Sequence, residues 1–378
     1  MAIQQSYSTS SSASASASTT TARTRSSARK STKDMSSSTS SSTGNNADKD
    51  QSSAAPPNGI FSIKPVDNTQ ETNESISSAS SECSDLGPIC EWADLPHWMQ
   101  DNPAIWTGYR RPTFSYRKCL ASLGFLHNET VNIYSHLLGA LACIIASPIA
   151  YFKVFGVLDT IQWKDIIVFY IFMAGAIICL SFSASFHCFA CHSEPVSGQW
   201  NRCDYVGIVF LIVGSFYPAI YYGFYCHQTW QILYLTLITV FGAATIVAVI
   251  RPKFRTPQYR WVRSTLFLAL GLCGVFPVIH GLFVYGLVLA QKAMSLNYMI
   301  WMGASYVIGA LLYGSRTPER FFPGKCDHFG SSHQIFHMMV LMGVVAHFLG
   351  VTKAMAFWHD ANHVCSIPVA QMRSDYIH

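Results

Sequence analysis

The chain has 378 residues, half of them apolar and only 12% charged, with 25 Lys and Arg against 20 Asp and Glu for a formal charge of +5. That is too apolar for an ordinary soluble domain of this length; it reads as a membrane protein, with no nucleic-acid partner expected. Its 12 cysteines lie mostly inside apolar runs and lack the dense spacing of a secreted disulfide scaffold, so they read as small membrane residues.

Residues 1–85 are a different polymer. SYSTSSSASASASTTTARTRSSARKSTKDMSSSTSSSTG and its continuation hold almost no aromatic or branched apolar side chains, so burial cannot offset chain entropy and a disordered Ser/Thr-rich tail is expected. Its basic first half has no acid before Asp34, yet it lacks the large apolar residues of an amphipathic presequence. No apolar stretch follows Met1, so no cleavable secretory signal is expected. Residues 86–132 mix Trp98, Trp106 and Tyr109 with basic residues, which suits either a segment lying among lipid headgroups or a soluble cap over a bundle.

Between 133 and 358, seven apolar runs are long enough to cross about 30 Å of hydrocarbon as helices. They run from Ile133 to Phe152, Ile166 to Phe186, Tyr205 to Cys226, Trp230 to Ile250, Ser264 to Ala290, Tyr298 to Gly314 and Ile335 to Phe357. Pro148, Pro218 and Pro277 fall inside spans and predict kinks. At the end of the second span, Cys188-Phe189-Ala190-Cys191-His192 matches the attachment pattern of a c-type haem. A lone match of this length at a span end reads instead as a helix terminus with free thiols.

The fold class is therefore all-α, a seven-transmembrane bundle, and an odd number of spans puts the termini on opposite sides. Arg110, Arg111, Arg117 and Lys118 precede span one, Arg202 lies between spans two and three, and Arg251, Lys253, Arg255, Arg260 and Arg263 crowd the next loop on that side. Arg316, Arg320 and Lys325 precede span seven, while the opposite loops offer only Lys153, Lys164 and Lys292, followed after span seven by Lys353 and Arg373. The positive-inside bias predicts a cytoplasmic N-terminus and a short exoplasmic tail over 359–378.

With this topology, the polar residues inside the spans share one depth near the cytoplasmic side. Ser183 and His187 end span two, Asp204 opens span three, His333 and His337 open span seven, and Glu129, Asn132 and His136 open span one. On a helix, His333 and His337 are about 6 Å apart along the axis and about 40° apart around it, so both rings can face one point. Three imidazoles and a water make the tetrahedral arrangement of a catalytic zinc site, with His136 or Asp204 as a candidate fourth ligand. Asp204, costly inside a membrane, is read either as the general base beside that metal or as a helix cap paired with Arg202. Ser183 either bonds that water or a reacting carbonyl, or bonds back to its own helix. His227, His280 and His347 read as histidines that hydrogen-bond a neighbour.

EWADLPHWMQDNPAIWTGYR, Glu129-x2-Asn132-x3-His136, Ser183-x3-His187 followed by Cys191-His192-Ser193-Glu194, Asp204-Tyr205-Val206-Gly207, SFYPAIYY and His333-Gln334-Ile335-Phe336-His337 together resemble the progestin and adipoQ receptor family. That family takes in adiponectin receptors, fungal zinc-homeostasis proteins and bacterial haemolysin III homologues, and the chain is most like the fungal members. The resemblance runs from about Glu91 to Thr352. It implies that His187, His333 and His337 bind zinc (Zn2+) on the cytoplasmic side, with Ser183 and Asp204 beside the metal. It further implies ceramidase-like hydrolysis of a membrane lipid amide by an integral, multi-pass protein of the plasma membrane or endoplasmic reticulum. The alternative is a receptor with a structural zinc site, for which the sequence names no extracellular ligand.

Overall fold

The computed structural model describes residues 87–360 together with Cys365, Ala370, Gln371 and Ser374. The Ser/Thr-rich tail and most of the expected exoplasmic tail lie outside the described residues. The chain enters through a two-stranded antiparallel ladder, β1 (Ile89–Cys90) against β2 (Tyr109–Arg110), with Ile89 opposite Arg110. A short helix α1 (Tyr116–Ala121) follows, its first turn capped by the Ser115 hydroxyl accepting from the Lys118 amide.

The juxtamembrane segment is held by two buried acids from late in the chain. The Asp327 carboxylate accepts from the amides of Trp106 and Thr107 at 3.1 and 2.9 Å and from the Thr107 hydroxyl at 2.8 Å. Glu319, fully buried, accepts from Asn102 Nδ2 at 3.1 Å and from the Ser332 amide at 2.7 Å. The juxtamembrane segment is thus stitched to the loop that leads into the last span.

Seven stretches among the described residues are long and apolar enough to cross a membrane. Their helices are α2 (Thr130–Lys153), α3 (Trp163–Phe189), α4 (Glu194–Gly223), α5 (Gln228–Val249), the pair α6 (Arg260–Leu272) and α7 (Val275–Ala293), α8 (Leu296–Ser315) and α9 (Ser332–Trp358). Each apolar run was found, and the helices extend past the runs at most ends. The extension is largest in span three, which starts at Glu194 rather than Tyr205 because Pro195, Gln199 and Asn201 continue the helix where no hydrophobic count would follow. Pro148 and Pro218 sit inside their helices. Span five is interrupted between Leu272 and Val275, just before Pro277, and again at Gly286, whose φ of 73° suits a residue without a Cβ.

α3, α4 and α9 form the centre, with α3 packed most extensively on α4 and α8 on α9. Small residues let α3 and α4 approach closely: a Cβ at Gly175 would lie 2.5 Å from the Phe210 carbonyl oxygen, and one at Gly207 2.9 Å from Cys179 Cα. At the end remote from the histidines, Asp165 at the start of α3 meets His359 just past α9, Oδ1 to Nε2 3.0 Å. Tyr222 Oη donates to the same Asp165 oxygen at 2.9 Å, and Thr160 Oγ1 lies 2.8 Å from His359 Nδ1. A disulfide joins Cys226 to Cys365 at that end, a pairing that the reading of the cysteines as mostly small membrane residues did not foresee.

Gly175→Val should cost about 1–3 kcal/mol through overpacking against the α4 backbone. Thermal unfolding in detergent should therefore show a lower midpoint for Gly175→Val, and no change for Gly271→Ala, where nothing lies within 4 Å of the added Cβ.

Candidate metal centre

The last turns of α3 carry Ser183 and His187 one turn apart, and the first turns of α9 carry His333 and His337 likewise. The two helices run antiparallel, so these ends meet. The ligating atoms of His187, His333 and His337 all lie within 4.8 Å of one another. Their ring centroids form a near-equilateral triangle with sides of 4.8, 4.9 and 4.9 Å. His187 and His337 are 2% and 1% exposed, so water does not serve them from bulk.

The nitrogen that each ring presents to the triangle is set by what its other nitrogen does. His187 Nδ1 lies 2.7 Å from Glu129 Oε2, which also accepts from Asn132 Nδ2 at 2.6 Å. His337 Nδ1 lies 3.1 Å from the Asn132 carbonyl oxygen and 3.3 Å from Ser135 Oγ. Carboxylate and carbonyl oxygens only accept, so Nδ1 carries the proton in both rings and Nε2 keeps its lone pair. His187 Nε2 is buried with no protein hydrogen-bond partner, a loss of about 1–3 kcal/mol unless a cation or a cavity water takes the lone pair. Neutral imidazoles backed by a carboxylate and a carbonyl are the donor set that first-row divalent ions prefer. Burial raises the Glu129 carboxyl, but the hydrogen bonds it accepts from His187 Nδ1 and Asn132 Nδ2 hold it below the usual carboxylate range.

Ser183 and Asp204 are 2% and 8% exposed, lie beside each other and line the same cavity as His187. Asp204 sits well inside α4, so the expectation that it opens its span is corrected: it caps nothing. No ion pair joins it to Arg202 among the described residues. The structure therefore brings together all five residues singled out from the sequence.

It adds others. His136 stacks on His337, centroids 3.6 Å apart and planes within 3°, which explains its place in the Glu129-Asn132-His136 spacing. Arg110, 3% exposed, donates to the carbonyls of His187 and Cys188 and to Ser122 Oγ. Arg263, 4% exposed, donates to the Thr256 carbonyl at 2.9 Å and lies 5.2 Å over the Tyr205 ring. In the sequence both arginines counted only toward the topology, and nothing in their spacing separates a buried arginine from a loop arginine. His280 meets Tyr234 Oη at 3.0 Å, as expected of a satisfied membrane histidine.

A cavity of about 800 Å³ takes in the triangle, Glu129, His136, Ser183 and Asp204 at one end. On one side the wall continues along Ile212, Phe216, Leu268, Met302 and Val340 to Leu272, which is half exposed, and on the other the cavity is lined by polar residues such as Asp101, Arg202 and Arg255.

A family model described as haemolysin-III related matches residues 125–348, which hold every one of these groups. The chain belongs to that family. The adiponectin receptor protein of Drosophila melanogaster is 41% identical over 281 residues, covering 74% of this chain and 62% of the relative. The ADIPOR-like receptor IZH2 of Saccharomyces cerevisiae is 37% identical over 276 residues, 72% of this chain and 86% of the relative. Heptahelical transmembrane protein 1 of Arabidopsis thaliana is 35% identical over 285 residues, 73% and 83%. The chain spans less than two thirds of the Drosophila relative's length. The haemolysin-III related membership agrees with the resemblance read from the motifs.

Purified protein should carry about one divalent metal ion per chain. His337→Ala should lose it, while His347→Ala, whose ring packs on Phe172 away from the triangle, should keep it. Glu129→Gln should weaken binding 10- to 100-fold, the usual effect of removing a partner that orients a ligand. Elemental analysis of the four proteins after equal dialysis checks all three.

Proposed function

We propose that this chain is a zinc-dependent hydrolase of membrane-dissolved lipid amides of the ceramide class, with its metal-bearing end facing the cytosol. The observation that carries the reading is the triangle of His187, His333 and His337 with Ser183 and Asp204 beside it, in a cavity whose apolar wall runs to the half-exposed Leu272. Among the described residues, no fourth His, Cys, Asp or Glu joins the triangle within 4.8 Å, which leaves a position for substrate or water. Zinc held there lowers the pKa of water and polarises an amide carbonyl.

The remaining work falls to the chain. The apolar wall takes the acyl chain and brings the amide to the histidine end. Ser183 holds the Asp204 carboxylate in orientation. Asp204 accepts a proton from the attacking water and returns it to the leaving amine nitrogen, so amide and water become fatty acid and amine. A part in lipid, sterol and zinc homeostasis follows from the fungal resemblance and belongs to the same proposal. A receptor with a structural metal is the second reading, favoured by the names of the relatives.

The cytosolic orientation rests on two independent features. Basic residues gather on the side of the triangle, and the free thiols Cys119, Cys188, Cys191, Cys203 and Cys326 lie there too, whereas the disulfide is at the other end. Disulfides persist on the oxidising side of a membrane and thiols on the reducing side. On sealed cells, an impermeant maleimide should label Cys365 only after an impermeant reductant has opened the pair, and should never reach Cys326. Labelling of Cys326 without lysis would invert the topology.

For the chemistry, Asp204→Asn keeps size and a hydrogen-bonding amide but accepts no proton at neutral pH. It should retain zinc and lose roughly 100-fold or more in turnover, measured as fatty acid released from labelled ceramide. Undiminished release would remove Asp204 as the base. No release by zinc-loaded wild type across a panel of lipid amides would favour the receptor reading.

A further inference from the structure

The proposed function leaves one motif unused, Cys188-Phe189-Ala190-Cys191-His192. In the fold it meets a third thiol from a distant segment: Cys119 of α1 lies with its Sγ 3.7 Å from Cys191 Sγ. Cys188 is turned aside, its Sγ 3.8 Å from the Cys119 carbonyl oxygen. The two segments are held in register by backbone hydrogen bonds from the Thr113 amide to the Cys191 carbonyl, 2.8 Å, and from the Phe114 amide to the His192 carbonyl, 3.0 Å. Cys119 and Cys191 are 0% and 1% exposed, yet Cys191 also lines the large cavity, which gives a small molecule a route to the pair.

A disulfide requires sulfurs about 2.05 Å apart on segments that approach closely. Here the sulfurs are already in contact, 3.7 Å apart, and the stretch just ahead of α1 is already paired with the segment that carries Cys191, so only a short approach of the two sulfurs remains. We propose that Cys119 and Cys191 are a redox-active dithiol, oxidised by a hydroperoxide to a disulfide that fastens α1 to the end of α3.

The Cys119 thiolate attacks the terminal oxygen of the hydroperoxide; the S–O bond forms, the O–O bond breaks, and the departing alkoxide or hydroxide takes up a proton. Cys119 is oxidised to the sulfenic acid and the peroxide is reduced to alcohol or water. The Cys191 sulfur then attacks the Cys119 sulfur, the S–O bond breaks, and hydroxide leaves with the Cys191 proton as water. The order follows from the surroundings. The hydrogen bond with Cys191, the Thr113 hydroxyl at 3.1 Å and the Arg110 charge hold the Cys119 thiol below the usual range against its burial, while Cys191 is pushed up. The link would lie four residues beyond His187, where Arg110 already holds the His187 and Cys188 carbonyls. On a cytosolic face the pair is reduced at rest, so closure reports an oxidant.

The test needs no enzymatic activity, so it is independent of the hydrolase reading. Reduced full-length protein is treated with hydrogen peroxide in detergent, alkylated, digested and mapped by mass spectrometry. The expected product is one cross-linked peptide pair carrying Cys119 and Cys191, reversed by dithiothreitol. It should form about 10-fold or more faster than Cys203 oxidises, although Cys203 is the more exposed thiol. Cys188→Ser should leave the cross-link intact, and Cys191→Ser should let dimedone trap the sulfenic acid on Cys119. A cross-link from Cys119 to Cys188, or oxidation of Cys203 ahead of any cross-link, would overturn the proposal. If Cys191→Ser does not fold, the wild-type map decides alone.

Discussion

The hydrogen bonds that occupy Nδ1 of His187 and His337 are the constraint on which the rest of this structure depends. A buried imidazole can present either nitrogen, and only a committed acceptor on one side leaves the other available. Both acceptors come from one turn, the Glu129 carboxylate and the Asn132 carbonyl, and Asn132 also donates to Glu129. The start of α2 therefore aims rings carried by α3 and α9. This gives the Glu-x2-Asn spacing a part in proton placement: one turn of helix puts the Asn132 side chain on the Glu129 carboxylate and the Asn132 carbonyl on His337. His136, one turn further, completes the arrangement by covering the face of His337.

Such aiming lasts only if α3 and α9 stay in register over their whole length. The opposite ends are tied by Asp165 with His359, by Tyr222 with the same carboxylate, and by the Cys226–Cys365 disulfide. A buried carboxylate and imidazole gain little net stability over an apolar pair, because desolvation offsets their attraction. What they add is specificity, since a slip of α3 along α9 by one turn would part Asp165 from His359 and leave the buried carboxylate with only Tyr222 and the Gln162 amide. Between the ties, α3 packs on α4 at glycine distances, which brings Asp204 to Ser183.

Much of this was legible in the sequence, for a definite physical reason. Lipid cannot hydrogen-bond, so spans must be long apolar helices, and any polar residue retained inside them stands out. That is why the histidine pair, His187, Ser183 and Asp204 could be singled out together. The rest depends on burial or on distant pairing, which no local pattern encodes. Polar residues at the start of α4 hid nearly three helical turns and made Asp204 look like a cap. Arg110 and Arg263 counted as loop cations although both are buried. Cys226 and Cys365 stand 139 residues apart, and only the meeting of the ends of α4 and α9 pairs them. The hold on the juxtamembrane segment rests on Asp327 and Glu319, each reaching back more than two hundred residues.

The triangle's place at one end of the cavity gives that cavity a polar end continuous with an apolar wall, the arrangement that the proposed lipid-amide substrate would need. An amide dissolved in a membrane lies near the headgroups while its acyl chain points to the midplane, and the cavity has the same polarity order, with histidines and acids at one end and Phe216, Leu268 and Met302 beyond. His136 bears on which solvent reaches the polar end. Both of its nitrogens are buried without a protein partner, a cost of about 1–3 kcal/mol for each if nothing else bonds them. A ring that lines a cavity can recover that cost from water or from a polar ligand, whereas a ring packed in lipid cannot. A histidine retained there is consistent with a wet end beside the apolar wall, the condition that a hydrolysis needs and that a purely structural metal does not.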